Sequence, residues 1–249
     1  MIPKVIHYCW FGGNPLPESA QKCIASWRKF LPDYEIKEWN ESNFDVNAIP
    51  YTAQAYAAKK YAFVSDYARF SILYDNGGLY FDTDVEVIRP IDDIIENGPF
   101  MGFEIDCSGD SIGKVNPGLG MGAFEKDIIY HDVIAYYNNL SFYNEDGSYN
   151  INDAVVNITT RELIKHGLTS QNTIQNIKGI FIYPSQYFNP LDDSTGKLSI
   201  TQNTHTIHWY SKTWMEINPI GHKIKRYVRR VLGTAFTSKI KAILKKCHL

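Results

Sequence analysis

Residues 65–84 read SDYARFSILYDNGGLYFDTD, and this stretch decides the fold class. Apolar side chains recur at helical spacing from Phe63 to Leu73, which predicts a helix over 62–75. Asn76, Gly77 and Gly78 end that helix, because glycine adopts the left-handed conformation at a helix C-terminus at little cost. The chain then continues as an aromatic strand, Leu79–Ile88, that can break at the acidic pair. A helix that turns directly into a strand is typical of an α/β protein.

The rest of the chain alternates in the same way. Strands are predicted at Lys4–Cys9, Tyr34–Trp39, Phe100–Ile105, Gly179–Tyr183 and Thr206–Trp209, and helices at Pro17–Phe30, Tyr51–Tyr61, Lys126–Asn138 and Asp153–His166. The glycine-rich segment 113–124 is expected to be a loop. The pattern predicts an α/β sandwich with helices packed on a sheet.

The acidic pair Asp82 and Asp84 is the candidate metal site. Residues two apart on a strand point to the same side, so both carboxylates are expected to face one cation. Carboxylate oxygens suit Mg²⁺ or Mn²⁺, which commonly keep substrate phosphates among their ligands. An isolated Asp-x-Asp is more often a solvated turn. Here the preceding helix adds Asp66 and Arg69, which lie three residues apart and share one helix face.

This stretch closely resembles the sugar-binding region, with its Asp-x-Asp motif, of glycosyltransferase family 32. It is more distantly similar to the glucosyltransferase domains of large clostridial toxins. The resemblance is strongest from Ile2 to Pro90 and returns at Ile207 to Trp214. It implies a GT-A type nucleotide-binding fold with a mixed central sheet flanked by helices, and transfer of a sugar with retention of anomeric configuration. Bacterial members of this size are often capsular polysaccharide synthesis enzymes.

The resemblance also assigns residues to the donor nucleotide-sugar. Trp10, in the segment IHYCWFGG of residues 6–13, matches a tryptophan that stacks on the donor base. Asp66 and Arg69 match residues that hold the donor sugar and its phosphate, and Tyr80 matches a tyrosine beside the donor. Asn43 matches an asparagine that contacts the nucleoside. The structural alternatives are a core tryptophan for Trp10, a surface ion pair for Asp66 and Arg69, and a packed strand aromatic for Tyr80. A turn is predicted over 40–43, where Asn43 lies.

The metal ligands implied by the resemblance are Asp84, His208 and Asp82. Asp84 is expected to bind the cation directly, and Asp82 to contact the ribose or a metal-bound water. Together with Asp66 and Arg69 these two carboxylates form the predicted catalytic set. His205 is a rival to His208 as the histidine ligand, since a lone histidine is more often structural than metal-binding.

Residues 207–214, IHWYSKTW, resemble the closing motif Ile-His-His-Trp-x-x-Ser-Trp of the family. Trp209 replaces the second histidine and Thr213 replaces the serine. The hydroxyl of Thr213 keeps a hydrogen bond to phosphate available, so Thr213 and Trp214 are assigned to donor binding. The role of Trp209 is left open by this departure.

Composition and charge bear on partners and location. The four cysteines form no C-x-x-C pair, which favours reduced thiols in a cytosolic protein over a zinc site. We read no secretory signal and no membrane-spanning stretch. Nine basic and no acidic residues follow His222, interleaved with apolar ones. We therefore predict a GT-A domain over 1–219 and a basic amphipathic helical tail over 220–249 that lies on the anionic inner face of the cell membrane.

The predicted function is transfer of a hexose, with UDP-hexose favoured as donor and GDP-mannose second, to a glycan or polyprenyl-diphosphate-linked acceptor. No nucleic-acid partner is expected. Two alternatives remain at this point. A metal-dependent phosphohydrolase or nucleotidyltransferase could use the same carboxylates, although it would usually need further acidic ligands or a Gly-rich phosphate loop. A glycan-binding module rich in Tyr and Trp would need neither the metal nor the Asp66–Arg69 pair.

Overall fold

The computed structural model describes residues 1–150 and 154–211. Its helices are α1 Glu18–Phe30, α2 Pro50–Ala57, α3 Tyr61–Asn76, α4 Asp92–Asn97, α5 Ile128–Asn138 and α6 Val155–Lys165. Its strands are β1 Val5–Cys9, β2 Glu35–Trp39, β3 Gly78–Tyr80, β4 Val85–Val87, β5 Phe100–Ile105, β6 Lys114–Val115, β7 Met121–Ala123, β8 Gln175–Ile177, β9 Ile180–Tyr183, β10 Leu191–Asp192, β11 Lys197–Leu198 and β12 Thr206–His208. The predicted basic tail over 220–249 lies outside the described residues.

The central sheet is mixed, as predicted. Its strand order is β2-β1-β3-β7-β5-β9-β8, with β6 paired to β5. Strand β1 pairs in parallel with β2 and β3, and β5 pairs in parallel with β9. Strand β7 runs antiparallel between β3 and β5. The parallel half therefore carries the N-terminal βαβ units, and β7 joins it to the second half.

Helices cover both faces of this sheet. One apolar cluster contains the buried sides of α2, α3, α5 and α6, and a second contains those of α1 and α4. Successive strand residues belong to different clusters: Leu79 packs in the second and Tyr80 in the first. This alternation follows from the period of two along a strand. The predicted α/β sandwich is thus confirmed.

The paired glycines after α3 place the end of that helix next to the sheet. Gly77 and Gly78 have φ values of 62° and 94°. A Cβ on Gly78 would lie 2.8 Å from the carbonyl oxygen of Val5, so no larger residue fits without movement. The chain can therefore leave α3 and enter β3 directly beside β1, which brings the helix face carrying Asp66 and Arg69 close to the end of β3.

The segment 113–124 is not the loop that the sequence predicts. It contains β6, a 3-10 turn at Pro117–Leu119 and β7. Its glycines are required by packing: a Cβ on Gly122 would lie 2.6 Å from the ring of Phe100, and one on Gly120 would lie 2.7 Å from the ring of Phe81. The glycines that suggest a loop are in fact positions where aromatic rings approach the backbone.

Strand β4 belongs to a small ladder of its own. It pairs antiparallel with β12, with Val85 opposite His208. The predicted strand over 79–88 therefore breaks at the acidic pair, as expected, and its two halves lie in different sheets.

No helix within residues 1–150 and 154–211 combines the length and apolar character needed to cross a bilayer.

Candidate functional site

The acidic pair lies in the turn between β3 and β4, not on a strand. The expectation that strand alternation directs both carboxylates to one side is therefore wrong. The turn is closed by the amide of Val85, which donates to the carbonyl of Asp82 over 3.0 Å. The amide of Asp82 donates to the carbonyl of Gly118 over 3.3 Å, and the amide of Trp209 donates to the carbonyl of Asp84 over 2.9 Å. Two remote segments thus fix the turn.

His208 meets Asp84 because β12 pairs with β4. Its Nε2 lies 3.1 Å from Oδ1 of Asp84. The other oxygen of Asp84 accepts from the amide and hydroxyl of Ser211 over 2.8 and 2.9 Å. Burial alone would raise the pKa of Asp84, but His208 and Ser211 outweigh it and hold that pKa well below its ordinary value. Burial would lower the pKa of His208, but Asp84 outweighs it and raises that pKa.

Asp82, Asp84 and His208 form a group that fits a divalent cation. One ligand atom from each lies within 4.8 Å of the others. Two carboxylates and an imidazole suit a divalent ion such as Mn²⁺ or Mg²⁺. The Nε2 atom of His208 faces Asp84, so it is the ring nitrogen directed at this group, whereas Nδ1 is buried and has no hydrogen-bond partner among the described residues. The structure brings together all three predicted metal ligands.

Arg69 links the helix to the acidic turn. Its Nη2 lies 3.0 Å from Oδ1 of Asp66 and 3.2 Å from Oδ1 of Asp82, and its Nη1 donates to Oδ2 of Asp82 over 3.4 Å. Its Nε donates to the carbonyl of Ser65 over 3.1 Å. The side chain of Arg69 is 4% exposed, so these contacts form away from bulk water. The predicted surface alternative for this pair is wrong, because the guanidinium is buried.

Burial sets the protonation of the two carboxylates that Arg69 contacts. It raises the pKa of Asp66 to about 7, against the opposing effect of the Arg69 charge. It also raises the pKa of Asp82 above its ordinary value, again opposed by Arg69. The hydroxyl of Tyr80 donates to Oδ1 of Asp82 over 3.2 Å, and the Arg69 guanidinium carbon lies 5.0 Å from the Tyr80 ring centroid. Tyr80 is both buried and in contact with the site.

Sequence reasoning missed the steric role of Gly118 beside the acidic turn. A Cβ on Gly118 would lie 2.2 Å from Oδ2 of Asp82 and 3.1 Å from Nη1 of Arg69. The side chain of Asn116 holds this backbone by accepting from the amide of Gly118 over 2.7 Å. No spacing in the sequence reveals this approach, although the glycines of 113–120 are a signal that backbone comes close to something there.

Of the remaining predicted donor residues, Trp10 and Asn43 are described by the structure, and two others are not. Trp10 is half-buried after β1, and its indole nitrogen donates to the carbonyl of Asn14 over 2.6 Å. Asn43 is exposed, and its amide bonds two backbone groups: its oxygen accepts from the amide of Asn40, and its nitrogen donates to the carbonyl of Glu38 in β2. These bonds fit the turn predicted over 40–43. Thr213 and Trp214 lie outside the described residues.

His205 lies away from the acidic pair. Its Nδ1 is 2.7 Å from the carbonyl oxygen of Pro90, and its Nε2 is 3.6 Å from Oδ2 of Asp93. Its ring stacks on Tyr187 at 6.2 Å and 9°. Among the described residues, the candidate metal group contains His208 and does not contain His205. Geometry therefore favours His208 as the histidine ligand.

Comparison with known proteins bears on residues 17–101. They match the family described as glycosyltransferase sugar-binding region containing DXD motif. Inositol phosphoceramide mannosyltransferase 3 of Schizosaccharomyces pombe is 33% identical over 98 residues, which are 38% of this chain and 27% of that protein. Inositol phosphoceramide mannosyltransferase 1 of the same organism is 28% identical over 111 residues, which are 40% of this chain and 33% of that protein. The chain thus spans about a third or less of these curated relatives.

A solved structure shares the fold. The PaToxG glycosyltransferase superposes with a TM-score of 0.50 at 18% identity, covering 66% of this chain and 69% of that one. This similarity confirms the GT-A type fold predicted from the resemblance. The family match confirms the resemblance over residues 17–101, and the named relatives agree with the predicted enzyme class, a glycosyltransferase.

Proposed function

We propose that this chain, whose residues 17–101 match the DXD-containing sugar-binding region of glycosyltransferases, is a metal-dependent glycosyltransferase that moves a hexose from a nucleotide-sugar donor. One observation carries the proposal. The Asp82, Asp84 and His208 ligand atoms lie together, directly beside a buried arginine that holds Asp82 through both of its oxygens. A glycan-binding module would not require this arginine or a metal, and a phosphohydrolase would usually need further acidic ligands or a Gly-rich phosphate loop.

The residues divide the work between the cation and the donor. Asp84 and His208, with Asp82 beside them, would hold a divalent cation, which would supply positive charge at the leaving diphosphate. Arg69 fixes the orientation of Asp66 and Asp82, because each of its three guanidinium nitrogens has a partner in the protein. Its catalytic contribution is therefore mainly the positioning of these carboxylates.

The donor is proposed to be a UDP-hexose, with Trp10 stacked on the base and Asp66 on the sugar. Retention of configuration is part of this proposal, since it follows from the resemblance. A mannose donor, GDP-mannose, is the second candidate, and a specific observation favours it: both curated relatives are mannosyltransferases by name. The proposed acceptor is a glycan or lipid-linked glycan in surface polysaccharide synthesis.

A thermal-shift screen tests this function. UDP, GDP, their hexose conjugates and free glycans are added with and without Mn²⁺. We expect stabilisation by one nucleotide only when the metal is present. Stabilisation by free glycans alone would support the binding module and overturn the proposal. Stabilisation by the metal without any nucleotide, together with release of phosphate from simple phosphate esters, would support the phosphohydrolase and also overturn it.

Asp84→Asn is the variant that places the metal. It keeps the size of the side chain and removes the charge, so we expect it to abolish nucleotide-sugar turnover and the Mn²⁺-dependent thermal shift. Asp93→Asn is the matched control, because Asp93 is an exposed carboxylate that faces His205 instead. Full turnover by the Asp84→Asn protein would show that the cation binds elsewhere.

The basic segment 220–249 is proposed to bind anionic lipid and to keep the enzyme at the cytoplasmic membrane face. The reason lies in the sequence alone, which places nine basic residues among apolar ones after His222. A chain ending at Pro219 should stay in the supernatant when sedimented with vesicles of anionic phospholipid, while the full chain pellets. Donor hydrolysis should persist in both. Equal pelleting of the two chains would contradict the proposal.

A further inference from the structure

Tyr210 lies against the histidine of the candidate metal group. The two ring centroids are 4.2 Å apart at an interplanar angle of 59°. The backbone at Tyr210 has φ 52°, a left-handed conformation that residues other than glycine seldom adopt. This conformation turns the chain immediately after β12, so that the residue two beyond His208 folds back onto its imidazole. An unfavourable backbone conformation is thus maintained at the position that contacts a predicted ligand.

The Tyr210 hydroxyl is held by two other segments. It accepts from Nδ2 of Asn189 over 2.8 Å and donates to Oε1 of Glu104 over 3.1 Å. The same Nδ2 donates to the carbonyl of Glu104 over 3.1 Å. Asn189 is buried. Donor and acceptor directions are consistent along this chain of bonds, so the phenol ring is fixed from β5 and from the segment that precedes β10.

His208 lacks the usual alternative for fixing its ring. A metal-binding histidine generally donates its second ring N–H to a carboxylate, a carbonyl or a water. Among the described residues no group forms a hydrogen bond with the buried Nδ1 of His208. Apart from the contact of Nε2 with Asp84, packing against Tyr210 is therefore the described contact that can set the orientation of the imidazole about its side-chain bonds.

We infer that Tyr210, held by Glu104 and Asn189, is a positioning residue that keeps the His208 imidazole directed at Asp84 for binding of the divalent cation. This inference rests on the proposed function, because it concerns the same cation site. It assigns to the closing segment a role that its divergence from the family motif leaves open. This role of Tyr210 is exerted through His208, whose ring it contacts.

The test is the affinity for Mn²⁺ in the presence of UDP, measured from the free Mn²⁺ signal in electron paramagnetic resonance. Tyr210→Phe keeps the ring and removes only the bonds to Asn189 and Glu104. We expect about tenfold weaker Mn²⁺ binding, at the lower end of what loss of a partner that orients a ligand costs. The melting temperature without metal should change little, which separates positioning from a general structural role.

Tyr187→Phe is the matched control. Tyr187 stacks on His205, another buried histidine, which lies outside the metal group. Removal of its hydroxyl should leave Mn²⁺ affinity unchanged. The electron spin echo modulation from a histidine nitrogen bound to Mn²⁺ gives a second readout, and it should weaken in Tyr210→Phe and persist in Tyr187→Phe.

Two variants test the chain of bonds. Glu104→Gln retains an acceptor oxygen for the hydroxyl and should bind Mn²⁺ nearly as wild type does, whereas Asn189→Leu should weaken binding as Tyr210→Phe does. If Tyr210→Phe binds Mn²⁺ with wild-type affinity while Asp84→Asn no longer binds it, this inference is overturned but the metal site is supported. Absence of Mn²⁺ binding in the wild-type protein would overturn both.

Discussion

Replacement of Gly118 by alanine tests whether the position of the Asp82 carboxylate matters for catalysis. The new Cβ would lie 2.2 Å from Oδ2 of Asp82, whereas ordinary van der Waals contact begins at 3.4 Å. The φ of Gly118 is outside the left-handed region, so alanine carries no backbone strain there. The whole effect of the substitution therefore falls on the neighbouring side chains.

The size of the effect follows from these distances. Relief of the clash needs a movement of about 1 Å. Asp82 can move only by leaving the guanidinium of Arg69, whose nitrogens lie 3.2 and 3.4 Å from its two oxygens. A misplacement of about 1 Å in an active site can reduce turnover by about 10²-fold. Overpacking adds a stability loss of about 1–3 kcal/mol.

Turnover is measured as nucleotide release from the donor that the screen identifies, together with the urea midpoint of unfolding. Gly122→Ala is the control, because its Cβ would press on the ring of Phe100 at 2.6 Å, in the core rather than beside the acidic turn. We expect it to lose stability and keep kcat. If Gly118→Ala keeps wild-type kcat and KM for the donor, the Arg69–Asp82 geometry is not required and the reasoning fails.

Two further predictions concern buried ionisable groups. Arg69→Lys keeps the charge but cannot contact Asp66 and both oxygens of Asp82 together, so we expect kcat to fall by about 10²-fold with a smaller change in KM, measured by steady-state kinetics. His7 is buried, and burial lowers its pKa to about 4, so the folded state resists a proton that the unfolded chain takes up near pH 6.5. The contribution of neutral His7 to the free energy of unfolding is fully present above pH 6.5. It is lost as the pH falls toward 4, by about 3 kcal/mol in total. The free energies of unfolding of the wild type and of His7→Gln are measured in urea between pH 7 and 4. The difference between the two proteins should change by that amount across this range, and a difference that stays constant with pH would contradict the prediction.

Local patterns in the sequence were sufficient for much of the framework. Strand β1, helix α1 and helix α3 are each set by residues close in the chain, and the glycine pair at 77–78 marks the end of α3. Strand β7 could not be predicted, because its three residues are stabilised by neighbours far along the chain. Gly122 within it and Gly120 just before it are explained by the rings of Phe100 and Phe81, and no local pattern reveals that those rings need the space.

The candidate site divides in the same way. The closing motif and the acidic pair were visible, and the structure brings His208 to Asp84. Gly118 and Tyr210 were not assigned roles, since their importance comes from contacts with segments that are remote in sequence. The prediction that strand alternation orients the acidic pair was wrong for a related reason, because the turn that replaces the strand is fixed by hydrogen bonds from outside it.

The short ladder between β4 and β12 has a consequence for the order in which the protein matures. The chain leaves the ribosome with the acidic turn early and His208 late, and β12 can pair only after almost all described residues have been synthesised. The central sheet, in contrast, needs no residue beyond β9. A nascent domain can therefore be folded in its sheet while its cation ligands are still incomplete. Competence to hold the ion therefore depends on a pairing that forms only after the residues of the central sheet have been synthesised.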